Sequence, residues 1–156
     1  MTERAERLHA SHWQGVVYLT GGGSPLLSDL LSIPGASNTV LEAAVPYAAK
    51  ALSDLLGTTP EQAASNQTGR ALSMRAYQRA RDLGATEAFG IGLSASLSSS
   101  VQKKGQTRAH WAIQTAEKSS SFELLLDNAN PRSAQELQLN EAIWATIELC
   151  LLSTEQ

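Results

Sequence analysis

The residues best placed to do chemistry are Thr20-Gly21-Gly22-Gly23-Ser24-Pro25. They follow the apolar run Val16-Val17-Tyr18-Leu19, which reads as a buried strand, and precede Leu26, Leu27, Leu30 and Leu31 at helical spacing. A helix that starts here points its first unpaired N–H groups, and the positive end of its dipole, beyond the turn. Glycines let a phosphate or carboxylate come close to that backbone. The spacing is neither the dinucleotide-binding fingerprint nor a P-loop, whose lysine is absent. A tight strand-to-helix turn without a ligand accounts for the same residues. Three glycines exceed what a tight turn requires, which favours a small anion bound at Gly21, Gly22, Gly23 and Ser24. Ser24 is the expected cap, with Pro25 at the first helical position.

The elements that must position this turn alternate between strand and helix. Pro34-Gly35 ends the first helix, Thr39 to Val45 suits a second strand, and Tyr47 to Leu56 a short helix stopped by Gly57. Ser65 caps a long helix to about Leu83, with Leu72, Ala76, Ala80 and Leu83 on its apolar face and Gly84 as its stop. Phe89–Leu93, Thr107–Thr115 and Phe122–Leu126 read as three further strands. Ser133 and Glu136 match a capping box, followed by Leu137, Trp144, Ile147 and Leu151 at helical spacing. Residues 1–12 form an N-terminal helix or arm. The order β-α-β-α-α-β-β-β-α predicts parallel pairing early and an antiparallel edge late. The expected fold class is α/β: a single domain over 1–156, a three-layer α/β/α sandwich on a mixed, mostly parallel sheet.

Composition narrows the function classes. The 156 residues are 42% hydrophobic and 17% charged, with a net charge of -3, so nothing in the charge favours nucleic acid or an anionic membrane as partner. No apolar run approaches the roughly 18 residues of a membrane-spanning helix. The first residues lack the apolar core of a signal peptide. The one cysteine, Cys150, leaves no internal disulfide, and a cytoplasmic location is the expectation. His9, His12 and His110 have no ligand-like spacing, so neither a metal site nor a cofactor is expected.

The run Thr20-Gly21-Gly22-Gly23, a helix, Ile33-Pro34-Gly35-Ala36-Ser37, then Val40 to Tyr47 and a helix ending Leu55-Leu56-Gly57 resembles the C-terminal domain of the CinA (nicotinamide-nucleotide amidohydrolase) family. The likeness continues through Ser65 to the final helix, in the same order. It implies that family's fold, and an ancestry in which a serine nucleophile and a lysine base hydrolyse the amide of nicotinamide mononucleotide. Such a dyad needs the amine within hydrogen-bond reach of the hydroxyl. The serine position falls on Thr20, which still offers a hydroxyl. The lysine position falls on Leu52, which cannot take a proton. Lys50 lies about 200° away around the helix and points elsewhere. The family's later glycine-rich loop is reduced to Ser94-Ala95-Ser96-Leu97. The form of the turn, with Val45-Pro46-Tyr47, Lys104, Gly105 and Arg108, is similar to a CinA-like subgroup found in cytidylyltransferase-like fusion proteins.

The resemblance implies a degenerate active site: Thr20 as the only catalytic candidate, and Ser37, Asn38, Tyr47, Ser94, Arg108 and Arg132 joining the glycine turn in ligand binding. Core packing, turn capping or solvated charge accounts for each of these equally simply. The first expectation is therefore a CinA-like domain without amidase activity that binds a small phosphorylated or nucleotide-like ligand. An amidohydrolase using Thr20 with another base is the second, and a homo-oligomeric assembly module the third.

Overall fold

The computed structural model describes residues 2–99 and 105–153. Its centre is a five-stranded sheet in the order β2-β1-β3-β4-β5. β1 (Gln14–Thr20) pairs in parallel with both β2 (Val40–Ala44) and β3 (Ala88–Ser96). β4 (Thr107–Gln114) and β5 (Ser119–Leu126) continue antiparallel from β3. The sheet is thus mixed, with a parallel half that carries the glycine turn and an antiparallel half beyond it.

Alternation along the strands divides the core in two, because successive side chains leave opposite faces. Val17, Leu19, Ile91, Leu93, Trp111 and Ile113 pack beneath α1 (Thr2–His9), α2 (Ser24–Ser32) and α6 (Arg132–Ile147). Val16 and Tyr18 pack on the other side, beneath α4 (Ala49–Leu56) and α5 (Asn66–Asp82). A three-layer sandwich results. α6 runs on into a π-helical turn, Glu148–Leu152, whose Leu151 is also buried.

Ser65 caps α5 as its sequence requires: its hydroxyl accepts from Thr68 N–H at 3.1 Å. Leu72, Ala76 and Ala80 form the buried face of α5, but Leu83 turns outward once the helix ends. The short helix α3 (Ala36–Thr39) precedes β2 and takes Thr39, which was expected to open the strand, and α4 begins at Ala49 rather than Tyr47.

Two further helix starts differ from expectation. α2 begins at Ser24 itself and Gly23 is its cap residue, at φ 102°, a region that glycine enters without penalty. α6 begins at Arg132 after Pro131, with no side-chain cap. Ser133 therefore lies inside the first turn and forms no capping box. Leu137 is 65% exposed, and the buried face is Leu139, Ile143, Trp144 and Ile147. The serine-x-x-glutamate pattern was present in the sequence, but its glutamate is used elsewhere.

Candidate functional site

Glu136 reaches back to the glycine turn. Its Oε1 accepts from Gly23 N–H at 2.9 Å, so a side chain of the protein itself occupies the anion position at the start of α2. Arg132, one turn earlier on α6, donates to Gly21 O at 2.8 Å and to Ser98 O at 3.2 Å. Its guanidinium also stands 3.7 Å from Glu136 Oε2. The first turn of α6 thus clamps the glycine turn to the segment that follows β3. Sequence reasoning singled out Arg132 but placed Glu136 in a cap; a pattern spaced for one local role conceals a contact 113 residues away.

The triple glycine has a packing explanation at each position. Gly21 and Gly23 both have positive φ, and a Cβ on Gly21 would lie 1.9 Å from Ala95 O. A Cβ on Gly22 would meet Leu97 at 2.9 Å. The turn's backbone requires Gly21 and Gly23, while Gly22 meets only the end of the Leu97 side chain, so the glycines do not by themselves argue for a ligand.

Beside the turn is a cavity of about 210 Å³. Leu19, Gly22, Ser24, Leu27, Val45, Tyr47, Arg132 and Glu136 line it. Of the residues expected to bind ligand, Gly22, Ser24, Tyr47 and Arg132 come together here, with Gly21 and Gly23 directly behind. Tyr47 is 62% exposed and forms part of the rim.

The remaining candidates lie elsewhere. Ser37 and Asn38 are exposed in α3, ahead of β2; because Val40 pairs with Gly15 in a parallel ladder, they belong at the opposite end of β1 from the glycine turn. Five strand residues separate the two ends, roughly 17 Å. Arg108 lines a second cavity of about 310 Å³ with Gln62, Ala63, Ser96 and Gln106. Lys104 lies outside the described residues. Ser94 is fully buried; its hydroxyl accepts from Ser65 N–H at 3.1 Å and donates to Ala63 O. It ties the loop before α5 to the sheet.

Thr20 follows Val16 and Tyr18 in the alternation, so its side chain leaves the face covered by α4 and α5, whereas Leu19 faces the cavity. Thr20 is buried, and its hydroxyl makes no hydrogen bond with a described residue. Leu52 is 2% exposed and packs in the apolar cluster with Val16, Tyr18 and Leu72. Lys50 points to solvent, 3.2 Å from Asp54. Among the described residues no group of three or more His, Cys, Asp or Glu side chains could hold a metal ion, and no helix is long and apolar enough to cross a membrane.

The strand register also builds a polar row that no local sequence pattern signals. Thr20 stands beside Ser94, Ser94 beside His110, and His110 beside Glu123. His110 is buried, with Nε2 3.7 Å from Glu123 and Nδ1 without a partner among the described residues. Burial lowers its pKa, against the attraction of Glu123 and with the repulsion of Arg108. The folded state therefore holds the neutral ring more strongly than the unfolded chain does. That contribution to stability is complete above the unfolded value of about 6.5 and is lost as pH falls from there towards the lower folded pKa. Urea midpoints should drop between pH 7.5 and pH 5, and the His110→Gln variant should show a smaller drop.

The sequence matches no protein-family model and no curated protein. Solved structures do resemble the chain. The competence/damage-inducible protein CihA from Agrobacterium tumefaciens is 19% identical with a TM-score of 0.74, over 95% of this chain and 93% of that one. A CinA-superfamily protein from Klebsiella pneumoniae is 16% identical with a TM-score of 0.74, over 98% and 96% of the two chains. A competence or damage-inducible protein from Enterobacter asburiae is 16% identical with a TM-score of 0.75, over 96% and 95%. At such identities the likeness establishes the fold: this chain folds as CinA-superfamily proteins do.

Proposed function

We propose that this chain is a small-ligand-binding domain on the CinA-type fold, without nicotinamide-mononucleotide amidase activity, whose ligand occupies the cavity at the glycine turn. The observation that carries this reading is the pair Thr20 and Leu52. A serine-type nucleophile needs a base within about 3 Å to take its proton. The Thr20 hydroxyl has no such partner among the described residues, and the position equivalent to the family's lysine is a leucine in an apolar core. The cavity, by contrast, is open and borders both polar and apolar groups.

A phosphorylated or nucleotide-like ligand meets one constraint here. Its phosphate has to displace Glu136 from Gly23 N–H or lie elsewhere, because two anions cannot share that donor. Incubating the protein with nicotinamide mononucleotide is expected to release no ammonia above a protein-free blank. Turnover that Thr20→Ala abolishes would overturn the reading.

A further inference from the structure

The polar groups around the cavity are unequally committed. Each terminal nitrogen of Arg132 already donates to a backbone carbonyl, Gly21 O or Ser98 O, so the guanidinium serves as a clip. Glu136 spends Oε1 on Gly23 N–H, while Oε2 accepts no hydrogen bond from a described residue and has Arg132 3.7 Å away. The Glu136 side chain is only 12% exposed, so that oxygen is largely withdrawn from solvent. A carboxylate oxygen has room for about two donors, and a largely desolvated one gains most from a charged donor. Arg132 keeps further N–H donors, but at 38% side-chain exposure these can be met by water, so the largely desolvated Oε2 of Glu136 is the cavity atom that most lacks a partner. Around the cavity are Leu19, Leu27 and Val45, with the ring of Tyr47 at the rim.

We propose that the cavity selects a small ligand with an apolar or aromatic body and a cationic or strongly polarised N–H donor, which binds Glu136 Oε2 while its body lies against Leu27, Val45 and Tyr47. This rests on the reading of the cavity as the binding site. It departs from the phosphate expected of a glycine-rich turn, because the carboxylate that satisfies the turn also repels anions. The volume, about 210 Å³, suits a single ring with a short substituent.

Three probes sharing one ring but differing in charge test the assignment: benzylamine, benzoate and phenyl phosphate. Each is titrated into the full chain while the Gly22 and Gly23 amide signals are followed by ¹⁵N–¹H NMR. Benzylamine should shift both signals saturably, with an affinity in the millimolar range expected of so small a ligand. The two anions should bind at least about tenfold more weakly, a comparison on the unaltered protein that needs no variant. Glu136→Gln, which keeps an acceptor for Gly23 N–H, should weaken benzylamine by about tenfold, and Tyr47→Ala should weaken it several-fold. Tighter binding of either anion at these signals would overturn the ligand class and leave the cavity as the site. Benzylamine binding unchanged in Glu136→Gln would overturn the role of Glu136. No shift with any probe would overturn both the class and the cavity reading.

Discussion

Replacing Gly92 with valine is expected to cost about 3 kcal/mol or more of stability, lowering the melting temperature by roughly 6–12 °C or preventing folding. Gly92 and Gly90 stand on the β3 face that α5 crosses. A Cβ on Gly92 would lie 2.3 Å from Ser73 N, 2.6 Å from Gly69 O and 2.6 Å from Leu72 Cβ. Two of these atoms are helix backbone and cannot rotate aside. The added atoms must therefore lift α5 from the sheet, which separates Leu72, Ala76 and Ala80 from Val16 and Tyr18. A typical domain has only about 5–15 kcal/mol in total, so such a loss is a large share. Gly105 has nothing within 4 Å of a built Cβ, so Gly105→Ala should melt within a degree or two of the unaltered protein. A Gly92→Val variant as stable as that control would mean that α5 does not lie on β3 as described.

The same helix shows what could be read from the sequence. Its cap, apolar spacing and stop glycine are local signals, and Ser65, Leu72, Ala76, Ala80 and Gly84 carry them within one stretch of chain. The order of strands and helices was legible for the same reason. What was not legible depended on residues distant in sequence. Glu136 fits a local capping pattern, yet its partner is Gly23, and only the packing of α6 on α2 decides between the two. Leu137 fits the helical period as well as Leu139 does, but the face of α6 that packs inward runs through Leu139, Ile143 and Ile147, which leaves Leu137 to solvent. Ser37 and Asn38 appear beside the glycine turn in a linear motif, whereas parallel pairing of β1 and β2 places them at the far end of the sheet. His110 reached its row with Ser94 and Glu123 through strand register alone.

Placing a lysine at position 52 tests the proposed lack of a catalytic base directly. Leu52→Lys is expected to destabilise the fold by about 4 kcal/mol or more at pH 7, because a buried ammonium is held neutral by a pKa depressed several units, each worth about 1.36 kcal/mol. The side chain it replaces is 2% exposed, among Val16, Tyr18, Leu56 and Leu72. The sign of the pH dependence follows from that depression. The unfolded chain binds the proton up to about pH 10.4 and the folded chain releases it earlier, so the penalty is largest near neutral pH and shrinks as pH rises. Urea midpoints at pH 7 and pH 9.5 measure this: the gap to the unaltered protein should narrow at the higher pH. Ammonia release from nicotinamide mononucleotide should remain absent in the variant, although the new amine would be on the same face as Thr20. The cavity opens on the opposite face, at Leu19 and Gly22, so a ligand there would be out of reach of the Thr20 hydroxyl. Release of ammonia by Leu52→Lys but not by the unaltered protein would place amidase chemistry on the Thr20 face and leave the glycine-turn cavity as a separate pocket.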